Sequence, residues 1–562
     1  MAKACEQVVD VLIEAGITHV FGMPGGGTIP IWNAMYGKED KIKPILARHE
    51  GAASCMADMY GRLTGKPGVL MGQGAYIASS GGFGTIEAFL SNSPMLIMVD
   101  TSDGGGFMQH GTYQSGSGEY GSYDIRDIMR GMCKFVAYAA TPEELVQGVQ
   151  LAIKHAITGR PGPAAVVFRV SAATGEVNPN RVPKIYPTAG YLKSTLIAPS
   201  ADDIEKASEM IARAKNPVII AGNGVHLSKS YAELKDLAEL LGIPVATTYT
   251  GKSAFPEVHP LALGMIGEYG QTTANRVVAG ADVILACGTR LAPSDTKRES
   301  LIDPMRQKII QIDIDPRNAG WVFPVEMGVT GELKTTLALM LETLKKMEAG
   351  KSARVQQKIA ALAKIKSEEK FFEAPELHSN TSPVLPERIV NAVQEAVTPD
   401  TILTLDAGNN RLWMAHFFKT LAPGTMFCPG GLAGMAWGPP AAITAKLLNP
   451  NRPVVSVAGD GGFGMVPHVI STAMQYKLPI AFVVMNNGIL GMIHDGQGKT
   501  PVATEFIETD YAKIGEAFGA RGVRINKPEE ITPAIKEALK AAVPTVIDVI
   551  TSPTENHSKI MS

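Results

Sequence analysis

Short apolar segments alternate with helix-period segments along almost the whole chain, and this alternation constrains the fold more than any other feature. The apolar segments are rich in β-branched residues and do not alternate with polar ones; examples are GVLMGQG, NPVIIAG, ADVILACG, DTILTLDAG, RPVVSVAGDG and PIAFVVMNN. Such strands are typical of parallel sheets that helices cover on both faces. The pattern therefore predicts an α/β protein made of doubly wound parallel sheets.

Three such units follow one another in the 562 residues, a length typical of about three or four domains. The sequence predicts a first domain over 1–178, before a Pro-rich connection, and a second domain over 191–345. The charged, helix-favouring stretch 346–381 is predicted to be an exposed linker, and a third domain covers 382–562. The first and third domains are similar in size and pattern, which suggests an old duplication.

Composition excludes several classes of function. The formal charge is −2 and no long basic block is present, so neither nucleic acid nor an anionic membrane surface is an expected partner. No run reaches the ~18 apolar residues of a membrane span, and the amphipathic N-terminal segment does not resemble a signal peptide. Five scattered cysteines without a C-x-x-C pair predict reduced thiols in the cytoplasm.

The segment VVSVAGDGGFG, at 454–464, places a glycine-rich turn directly after a predicted strand. Gly459, Gly461 and Gly464 match the G-x-G-x-x-G fingerprint of dinucleotide-binding folds. That fingerprint expects an acidic residue about 20 positions further on, to hold a ribose hydroxyl. Here the next strand ends in two asparagines, so a dinucleotide site is the weaker interpretation.

A divalent cation that bridges a diphosphate explains the same residues better. Asp460 and Asn487, 27 positions apart, each follow the end of a predicted strand, where open α/β sheets bind their ligands. Mg²⁺ prefers such oxygen ligands together with phosphate oxygens. Gly459, Gly461 and Gly462 would let a diphosphate approach the backbone. The alternative is a glycine turn and an Asx turn that bind nothing.

This GDG…NN pair resembles the cofactor signature of the thiamine diphosphate (ThDP) enzymes. The resemblance implies that Asp460, Asn487 and the main-chain carbonyl of Ile489 hold Mg²⁺. It further implies that the cofactor contacts the residues that follow, which are Leu490, Gly491 and Met492. The three domains would then be a pyrimidine-binding domain, a central nucleotide-type domain and a diphosphate-binding domain.

The stretch PILARHEGAASCMADMYG resembles the segment that carries the activating glutamate of this family, and Glu50 is the match. In the family this carboxyl group hydrogen-bonds N1′ of the cofactor's pyrimidine, so we expect Glu50 to lie in a dry pocket with a raised pKa. The alternative is a helix-capping or solvated acid. The segment FGMPGGGTIP resembles the family's opening loop, with Pro24, Gly25 and Gly26 on the reaction side.

The segment PGGLAGMAWGPPAAI resembles the family loop whose bulky apolar residue keeps the cofactor bent, and Met435 is the match. The resemblance implies that the backbone of Ala433 and Gly434 contacts the aminopyrimidine.

The segment DAGNNRLW resembles the diphosphate-side loop, with Gly408, Asn409 and Asn410 as contacts. In this family the glutamate and the diphosphate site of one centre come from different subunits. The resemblance therefore implies a homodimer at least, and homotetramers are common in the family.

Over nearly its whole length the chain resembles acetolactate synthase catalytic subunits, in a group that includes benzaldehyde lyase and oxalyl-CoA decarboxylase. This implies a ThDP- and Mg²⁺-dependent carboligase or decarboxylase that acts on a 2-oxo acid or aldehyde, with pyruvate as donor, through a C2 carbanion and an enamine. In acetolactate synthases the central domain holds FAD, whereas relatives use that pocket for ADP or part of coenzyme A, or leave it empty. The matching segments are 222–224, 248–251, 265–267, 288–290 and 313–315.

Two positions depart from the acetolactate synthase pattern. Ser294 stands where the group has an arginine for the carboxylate of the second oxo acid, and Gly496 where a tryptophan shapes acceptor choice. Loss of a charge-assisted pair worth about 1.5–3 kcal/mol argues against a second oxo acid as acceptor. The alternatives are an aldehyde lyase or carboligase, a 2-hydroxyacyl-CoA lyase, a simple 2-oxo acid decarboxylase, a C–C hydrolase, a flavin-dependent oxidoreductase and a silent regulatory paralogue.

The Gly/Ser/Tyr-rich segment 102–127 is predicted to form a loop over the reacting carbon, and its Gln114 matches the family's active-site glutamine. His110, Tyr113 and Tyr120 are candidate donors to a substrate oxyanion. His494 is a candidate substrate contact. A solvated loop residue is the alternative for each.

Overall fold

Three six-stranded sheets form the framework of the computed structural model, which describes residues 2–103, 114, 116–118, 121–192, 196–349 and 352–561. The named strands pair in parallel within each sheet, and helices occupy the connections. The predicted α/β class with doubly wound parallel sheets is confirmed.

The first sheet has the strand order β2-β1-β3-β4-β6-β5. Its strands are β1 His19–Gly22, β2 Lys43–Leu46, β3 Gly68–Gly72, β4 Met95–Thr101, β5 Phe135–Ala139 and β6 Pro163–Arg169. Its helices are α1 Ala4–Glu14, α2 Ile29–Asn33, α3 Glu50–Thr64, α4 Gly74–Ser79, α5 Gly82–Ser91, α6 Ile125–Met132, α7 Pro142–Ile157, α8 Val170–Thr174 and α9 Thr188–Leu192. A 3₁₀ turn covers Gly26–Thr28.

The second sheet has the order β12-β11-β10-β7-β8-β9, which is the doubly wound order with its switch between the first and fourth strands. Its strands are β7 Pro217–Ala221, β8 Val245–Thr247, β9 Ala262–Met265, β10 Val283–Cys287, β11 Lys308–Asp313 and β12 Met327–Thr330. The helices of this region are α10 Ala201–Arg213, α11 Asn223–Ser228, α12 Tyr231–Leu241, α13 Thr272–Ala279, α14 Leu333–Lys346 and α15 Ser352–Glu368. The stretch 346–381, predicted as a linker, thus carries a helix.

The third sheet has the order β14-β13-β15-β16-β18-β17, which repeats the order of the first sheet strand for strand. Its strands are β13 Ile402–Leu405, β14 Met426–Phe427, β15 Val454–Gly459, β16 Ala481–Asn486, β17 Arg521–Ile525 and β18 Thr545–Ile550. The helices of this part of the chain are α16 Pro386–Ala396, α17 Asn409–Phe417, α18 Gly438–Leu448, α19 Asp460–Met465, α20 Val469–Gln475, α21 Gly491–Gln497, α22 Tyr511–Ala517 and α23 Ile531–Lys540. Short 3₁₀ turns cover Pro375–His378, Pro528–Glu530 and His557–Ile560. The shared order supports the duplication that the sequence suggests.

The central strands are buried on both faces, which explains why their sequences do not alternate. Every residue of β3, β4, β10 and β16 is buried. Helices cover these faces and begin at local signals in the sequence. At α7, for example, Thr141 and Glu144 form a capping box in front of Pro142.

The chain forms two compact units. The first comprises residues 1–195, 429–450 and 466–478, and therefore holds the first sheet together with α18 and α20. The second comprises residues 196–428, 451–465 and 479–562, and holds the second and third sheets. Within the described residues no helix combines the length and the apolar character needed to cross a bilayer. No disulfide joins the five cysteines, all of which the structure describes, and four of them are buried.

A buried ion pair joins the second and third sheets inside the second unit. Lys252 Nζ lies 2.7 Å from Glu257 Oε1, and their side chains are only 3% and 1% exposed. Glu257 Oε2 also accepts the Thr420 N–H at 2.8 Å. Burial lowers the pKa of Lys252, although the adjacent carboxylate opposes this effect.

We expect Glu257→Gln to destabilise the second unit by about 3–5 kcal/mol, because it leaves the Lys252 charge buried and unpaired. The measurement is the midpoint of denaturant unfolding. Asp202→Asn is the matched control, since it removes an ion pair with Lys206 that is exposed, and such pairs contribute little. Equal midpoints for the two variants would contradict the structural role of the buried pair.

Candidate active site

Three loops of the second unit meet at one edge of the third sheet. They follow β13, β15 and β16, which are neighbours in the sheet, so their carboxyl ends open onto the same crevice. The loop after β13 leads into Asn409, the loop after β15 into Asp460, and the loop after β16 into Asn487. The structure thus brings together the residues of the predicted diphosphate and metal site.

Asp460 is buried, and its carboxylate is held by backbone amides. Oδ2 accepts the Gly488 N–H at 2.6 Å, and Oδ1 accepts the Gly461 N–H at 2.8 Å. Burial raises the pKa of Asp460 to about 6, despite these amides. A carboxylate desolvated to this degree favours a nearby cation, which would restore the charged form.

Asn487 and the segment after it carry two further oxygen atoms, the side-chain Oδ1 of Asn487 and the main-chain carbonyl of Ile489. Asn487 Oδ1 accepts the Ile489 N–H at 3.3 Å. The backbone of 488–490 pairs with 504–506, since the Leu490 N–H donates to Thr504 O at 2.7 Å. This pairing fixes the path of the Ile489 carbonyl before α21 begins with Gly491 and Met492.

The donor set fits Mg²⁺ bound together with phosphate oxygens. One carboxylate, one amide oxygen and one carbonyl are hard ligands of the kind that Mg²⁺ takes beside substrate or cofactor phosphates. Among the described residues no three His, Cys, Asp or Glu side chains cluster as a metal cage. Asn409 Oδ1 is buried without a hydrogen-bond partner among those residues. It can therefore accept a hydrogen bond from a ligand at this edge.

The two adjacent asparagines of α17 have different surroundings. Asn409 Nδ2 donates to Asp495 Oδ2 at 3.0 Å. Asn410 Nδ2 donates to the Asp406 carbonyl at 2.9 Å, beside Gly408 at the end of the β13 loop. Asn410 therefore braces the loop, whereas Asn409 is the one with an open acceptor.

Sequence reasoning missed the residues that brace this edge from behind. Tyr511 OH donates to the Asp460 carbonyl at 3.0 Å, and the Tyr511 N–H donates to Asp548 Oδ2 at 3.1 Å. Asp548 Oδ1 also accepts Asn486 Nδ2 at 2.9 Å. The available signal was Asp548 itself, a lone acid inside the apolar strand TVIDVI.

In the first unit, the loop after β1 carries Pro24, Gly25 and Gly26, and Gly26 begins the 3₁₀ turn. The buried carboxylate of Asp100 holds this loop, since Oδ2 accepts the Gly27 N–H at 2.5 Å. Asp100 was also missed from the sequence. Its position in the apolar strand β4 is the same kind of signal as that of Asp548.

Gln114 belongs to a short chain of polar side chains in the first unit. Gln73 Nε2 donates to Gln114 Oε1 at 2.5 Å, and Gln114 Nε2 donates to Tyr76 OH at 2.9 Å. His110, Tyr113 and Tyr120 lie outside the described residues.

Glu50 is the first residue of α3, and the His49 side chain caps this helix by accepting the Gly51 N–H at 3.1 Å. Glu50 is half-buried in the single chain. In the single chain Glu50 therefore does not lie in the dry pocket expected for it. His49 and His468 lie with their ring centroids 5.8 Å apart, and His468 Nε2 is buried without a partner among the described residues.

Met435 lies half-buried between two alanines with left-handed backbone, Ala433 at φ 56° and Ala436 at φ 76°. That conformation costs about 1–2 kcal/mol per non-glycine residue, and it persists only where the surroundings impose it. Gly434 is packed so closely that an added Cβ would lie 2.2 Å from Phe83 Cε2. The backbone around Met435 is therefore firmly constrained.

The five segments predicted to hold a nucleotide follow, or end, strands of the second sheet. The loops after β7 and β10 flank the switch point, where such sheets bind nucleotides. The Gly224 N–H donates to Gly288 O at 2.9 Å. An added Cβ on Gly224 would lie 2.6 Å from Gly288 Cα. The strand order is therefore that of a nucleotide-binding sheet. The two glycines add nothing to this argument, because the contact between the loops already requires them.

The positions that depart from the acetolactate synthase pattern lie at exposed sites. Ser294 is exposed beside the buried Asp295, whose carboxylate accepts the Tyr249 N–H at 3.0 Å. Gly496 is exposed on α21, and an added Cβ would meet no described atom within 4 Å. His494 lies on the same helix and is half-buried.

Three family models match the chain in order. Residues 2–115 match the N-terminal TPP binding domain of thiamine pyrophosphate enzymes, residues 204–340 their central domain, and residues 406–549 their C-terminal TPP binding domain. Thiamine pyrophosphate is another name for ThDP.

Curated relatives extend this similarity over nearly the full length. The chain is 33% identical to a "probable acetolactate synthase large subunit" of Methanocaldococcus jannaschii, over 98% of this chain and 92% of the relative. It is 31% identical to an acetolactate synthase large subunit of Corynebacterium glutamicum, over 97% and 86%. It is 28% identical to the acetolactate synthase isozyme 3 large subunit of Escherichia coli, over 96% and 92%.

Proposed function

We propose that this chain, which belongs to the thiamine pyrophosphate enzyme family and is an acetolactate synthase-like enzyme, acts with Mg²⁺ as a carboligase or decarboxylase whose donor is pyruvate. The observation that carries the metal and diphosphate part is the meeting of Asp460, Asn487 and the Ile489 segment at adjacent strand ends. A 2-oxo acid donor is supported by the relatives that are named acetolactate synthases.

Asp460, Asn487 and the carbonyl of Ile489 would hold the Mg²⁺, with the diphosphate of ThDP completing the coordination. Asn409 would use its open Oδ1 on a donor group of the bound cofactor or on a water beside it. Gly459, Gly461 and Gly462 would leave the backbone accessible to the diphosphate. Gly408, Asn410, Leu490, Gly491 and Met492 would complete the contacts.

When bound, ThDP supplies a nucleophilic carbon that can add to the carbonyl of a 2-oxo acid. Glu50 would hold a proton at N1′ of the pyrimidine and so tune the acidity of the reacting carbon. Met435 would support the bent cofactor, with the backbone of Ala433 and Gly434 against the pyrimidine. Pro24, Gly25, Gly26 and Gln114 would line the substrate side.

A second copy of the chain would complete the site. Glu50 is half-exposed in the single chain, although its role needs a dry environment. Large apolar side chains near the Asp460 edge are also exposed, among them Phe506 at 43% and Ile507 at 87%, and such surfaces mark interaction sites. We therefore include a homodimer, and a homotetramer built from it, in the proposal.

The central domain would bind FAD, or ADP in its place, at the switch point of the second sheet. The cytoplasm is the proposed compartment, since five cysteines without a disulfide suit a reducing environment.

The acceptor is the less constrained part of the reaction. Ser294 offers no cation for the carboxylate of a second oxo acid, and Gly496 leaves open space where acetolactate synthases carry a tryptophan. These two residues favour an aldehyde, or a proton, as acceptor over a second oxo acid. An aldehyde carboligase or a simple 2-oxo acid decarboxylase is therefore the second candidate function.

Asp460→Ala should weaken Mg²⁺-dependent ThDP binding by more than about 100-fold, since even the outer partners of a metal ligand contribute about 10–100-fold. Isothermal titration of the apoprotein with ThDP, at fixed Mg²⁺, measures this effect. Asp295→Ala is the matched control, because Asp295 is equally an acid whose pKa burial raises to about 6. Binding by Asp460→Ala as tight as that of the control would disprove the metal site.

Glu50→Gln should lower kcat by about 10²–10⁴-fold, the usual contribution of a general acid–base group, while ThDP stays bound. Glu6→Gln, another glutamate in a first helical turn, serves as control and should retain full turnover. The readouts are product formation from pyruvate at saturating cofactor and ThDP affinity. Undiminished turnover in Glu50→Gln would refute the assigned role.

Gly496→Trp should fold normally, because its side chain would project into open space. We expect the substitution to shift the products from pyruvate and a panel of aldehydes and oxo acids, since it narrows the proposed acceptor side. Product analysis by mass spectrometry tests this, with Gly496→Ala as the small-side-chain control. Identical product ratios for the two variants would place position 496 away from the acceptor.

A further inference from the structure

Three charged side chains form a buried ionic cluster in the first unit. Arg62 Nη2 lies 2.8 Å from Asp58 Oδ2 and 2.7 Å from Glu87 Oε1. Asp58 and Arg62 are on α3, whereas Glu87 is on α5. The two acids are essentially inaccessible to solvent, so each charge depends on its partners inside the protein.

The Glu87 carboxylate is directed at the backbone of the Met435 segment. Oε1 accepts the N–H groups of Gly430 and Gly431, both at 3.0 Å, and Oε2 accepts the Ala433 N–H at 2.9 Å. Three amides within four residues thus converge on one carboxylate. Hydrogen bonds to an ionised acceptor are roughly twice as strong as neutral ones.

The same cluster also holds the far end of this segment. Trp437 Nε1 donates to Asp58 Oδ2 at 2.8 Å. The Arg62 guanidinium lies over the Trp437 ring at 4.6 Å. Met435 is therefore placed between two anchor points, Ala433 and Trp437, that belong to one ionic cluster.

The backbone between these anchors has the strain that such clamping would produce. Ala433 and Ala436, on either side of Met435, both have positive φ, a conformation that alanine avoids unless its surroundings impose it. Phe83 and Leu90 flank Glu87 on the same face of α5, and they press against Gly434 and Gly431.

We propose that Glu87, together with Arg62 and Asp58, is a positioning residue that fixes the backbone of 430–437 and so sets the position from which Met435 would support the cofactor. This inference rests on the proposed function, because it gives Met435 its place against ThDP. Both carboxylate oxygens of Glu87 already accept hydrogen bonds from the protein, so Glu87 would act through the amides that it binds.

The negative charge of Glu87 strengthens its hydrogen bonds to the backbone of Gly430, Gly431 and Ala433. Burial opposes ionisation, but Arg62, Ser91 and the segment's amides outweigh it and lower the pKa of Glu87 to about 2. The carboxylate is therefore ionised throughout the neutral range. A glutamine at this position would keep the shape, lose the charge and direct an NH₂ group at amides that need an acceptor.

The test is Glu87→Gln in the full chain, compared with Glu143→Gln. Glu143 is the matched control: it is also buried, accepts the Asn178 N–H at 2.6 Å and faces Arg181, but it lies away from the Met435 segment. Three quantities are measured: amide hydrogen exchange of 430–437 in the apoprotein, ThDP affinity with Mg²⁺, and kcat at saturating ThDP.

We expect faster exchange at Gly430, Gly431 and Ala433 in Glu87→Gln only. ThDP affinity should change by no more than a few-fold, because the diphosphate site is elsewhere, while kcat falls by about tenfold to a hundredfold from misplacement of the cofactor. Glu143→Gln should retain wild-type values. Unchanged exchange and kcat in Glu87→Gln, or an equal loss in both variants, would overturn the inference.

Glu87→Asp decides the matter if Glu87→Gln fails to fold. It keeps a buried carboxylate for Arg62 but shortens the side chain by one methylene group, which withdraws the acceptor from the amides of Gly430, Gly431 and Ala433. Exchange of these amides should become faster and kcat should fall, and wild-type exchange and kcat in this variant would overturn the inference. Failure of the wild-type protein to bind ThDP would instead refute the proposed function, so the two failures are distinguishable.

Discussion

The carboxylate of Asp460 is buried at the end of β15 with backbone amides as its partners, and the rest of the site depends on how this charge is stabilised. Burial raises its pKa, and the nearby charge of Asp548 adds to this effect. A divalent cation that also binds a diphosphate would offset the free-energy cost of burying this charge. Asn487 and the Ile489 carbonyl would be further ligands of that cation. Tyr511 donates to the Asp460 carbonyl, and Asp548 accepts the Tyr511 N–H. These bonds support the backbone around Asp460 without a ligand.

A second set of buried acids organises the first unit. Asp100 holds the loop with Gly26, and Glu87 and Asp58 hold the segment with Met435. Helix α3 connects Glu50 to the ionic cluster, because Glu50 is its first residue and Asp58 and Arg62 follow on the same helix. In each case a buried carboxylate accepts hydrogen bonds from donors of a neighbouring segment. These bonds stabilise backbone conformations that the local sequence would not adopt by itself.

Much of this could be predicted from sequence, since strand periodicity and the position of Asp460 and Asn487 after strands are local features. The partners of Glu87 could not, because its amides lie 343 to 346 positions away along the chain. A lone acid in the apolar helix GFGTIEAFLS, or in the strand TVIDVI, indicates a buried partner without identifying it. Glu50 was expected in a dry pocket, but in the single chain it is only half-buried.

A crystal structure of the protein grown with ThDP and Mg²⁺ tests the central claim most directly. The account predicts a metal ion bound by Asp460, Asn487 and the Ile489 carbonyl, a diphosphate on that metal, and a Glu50 carboxyl group at N1′ of the pyrimidine. Cofactor density away from Asp460, or a pyrimidine ring with no Glu50 beside it, would contradict the account.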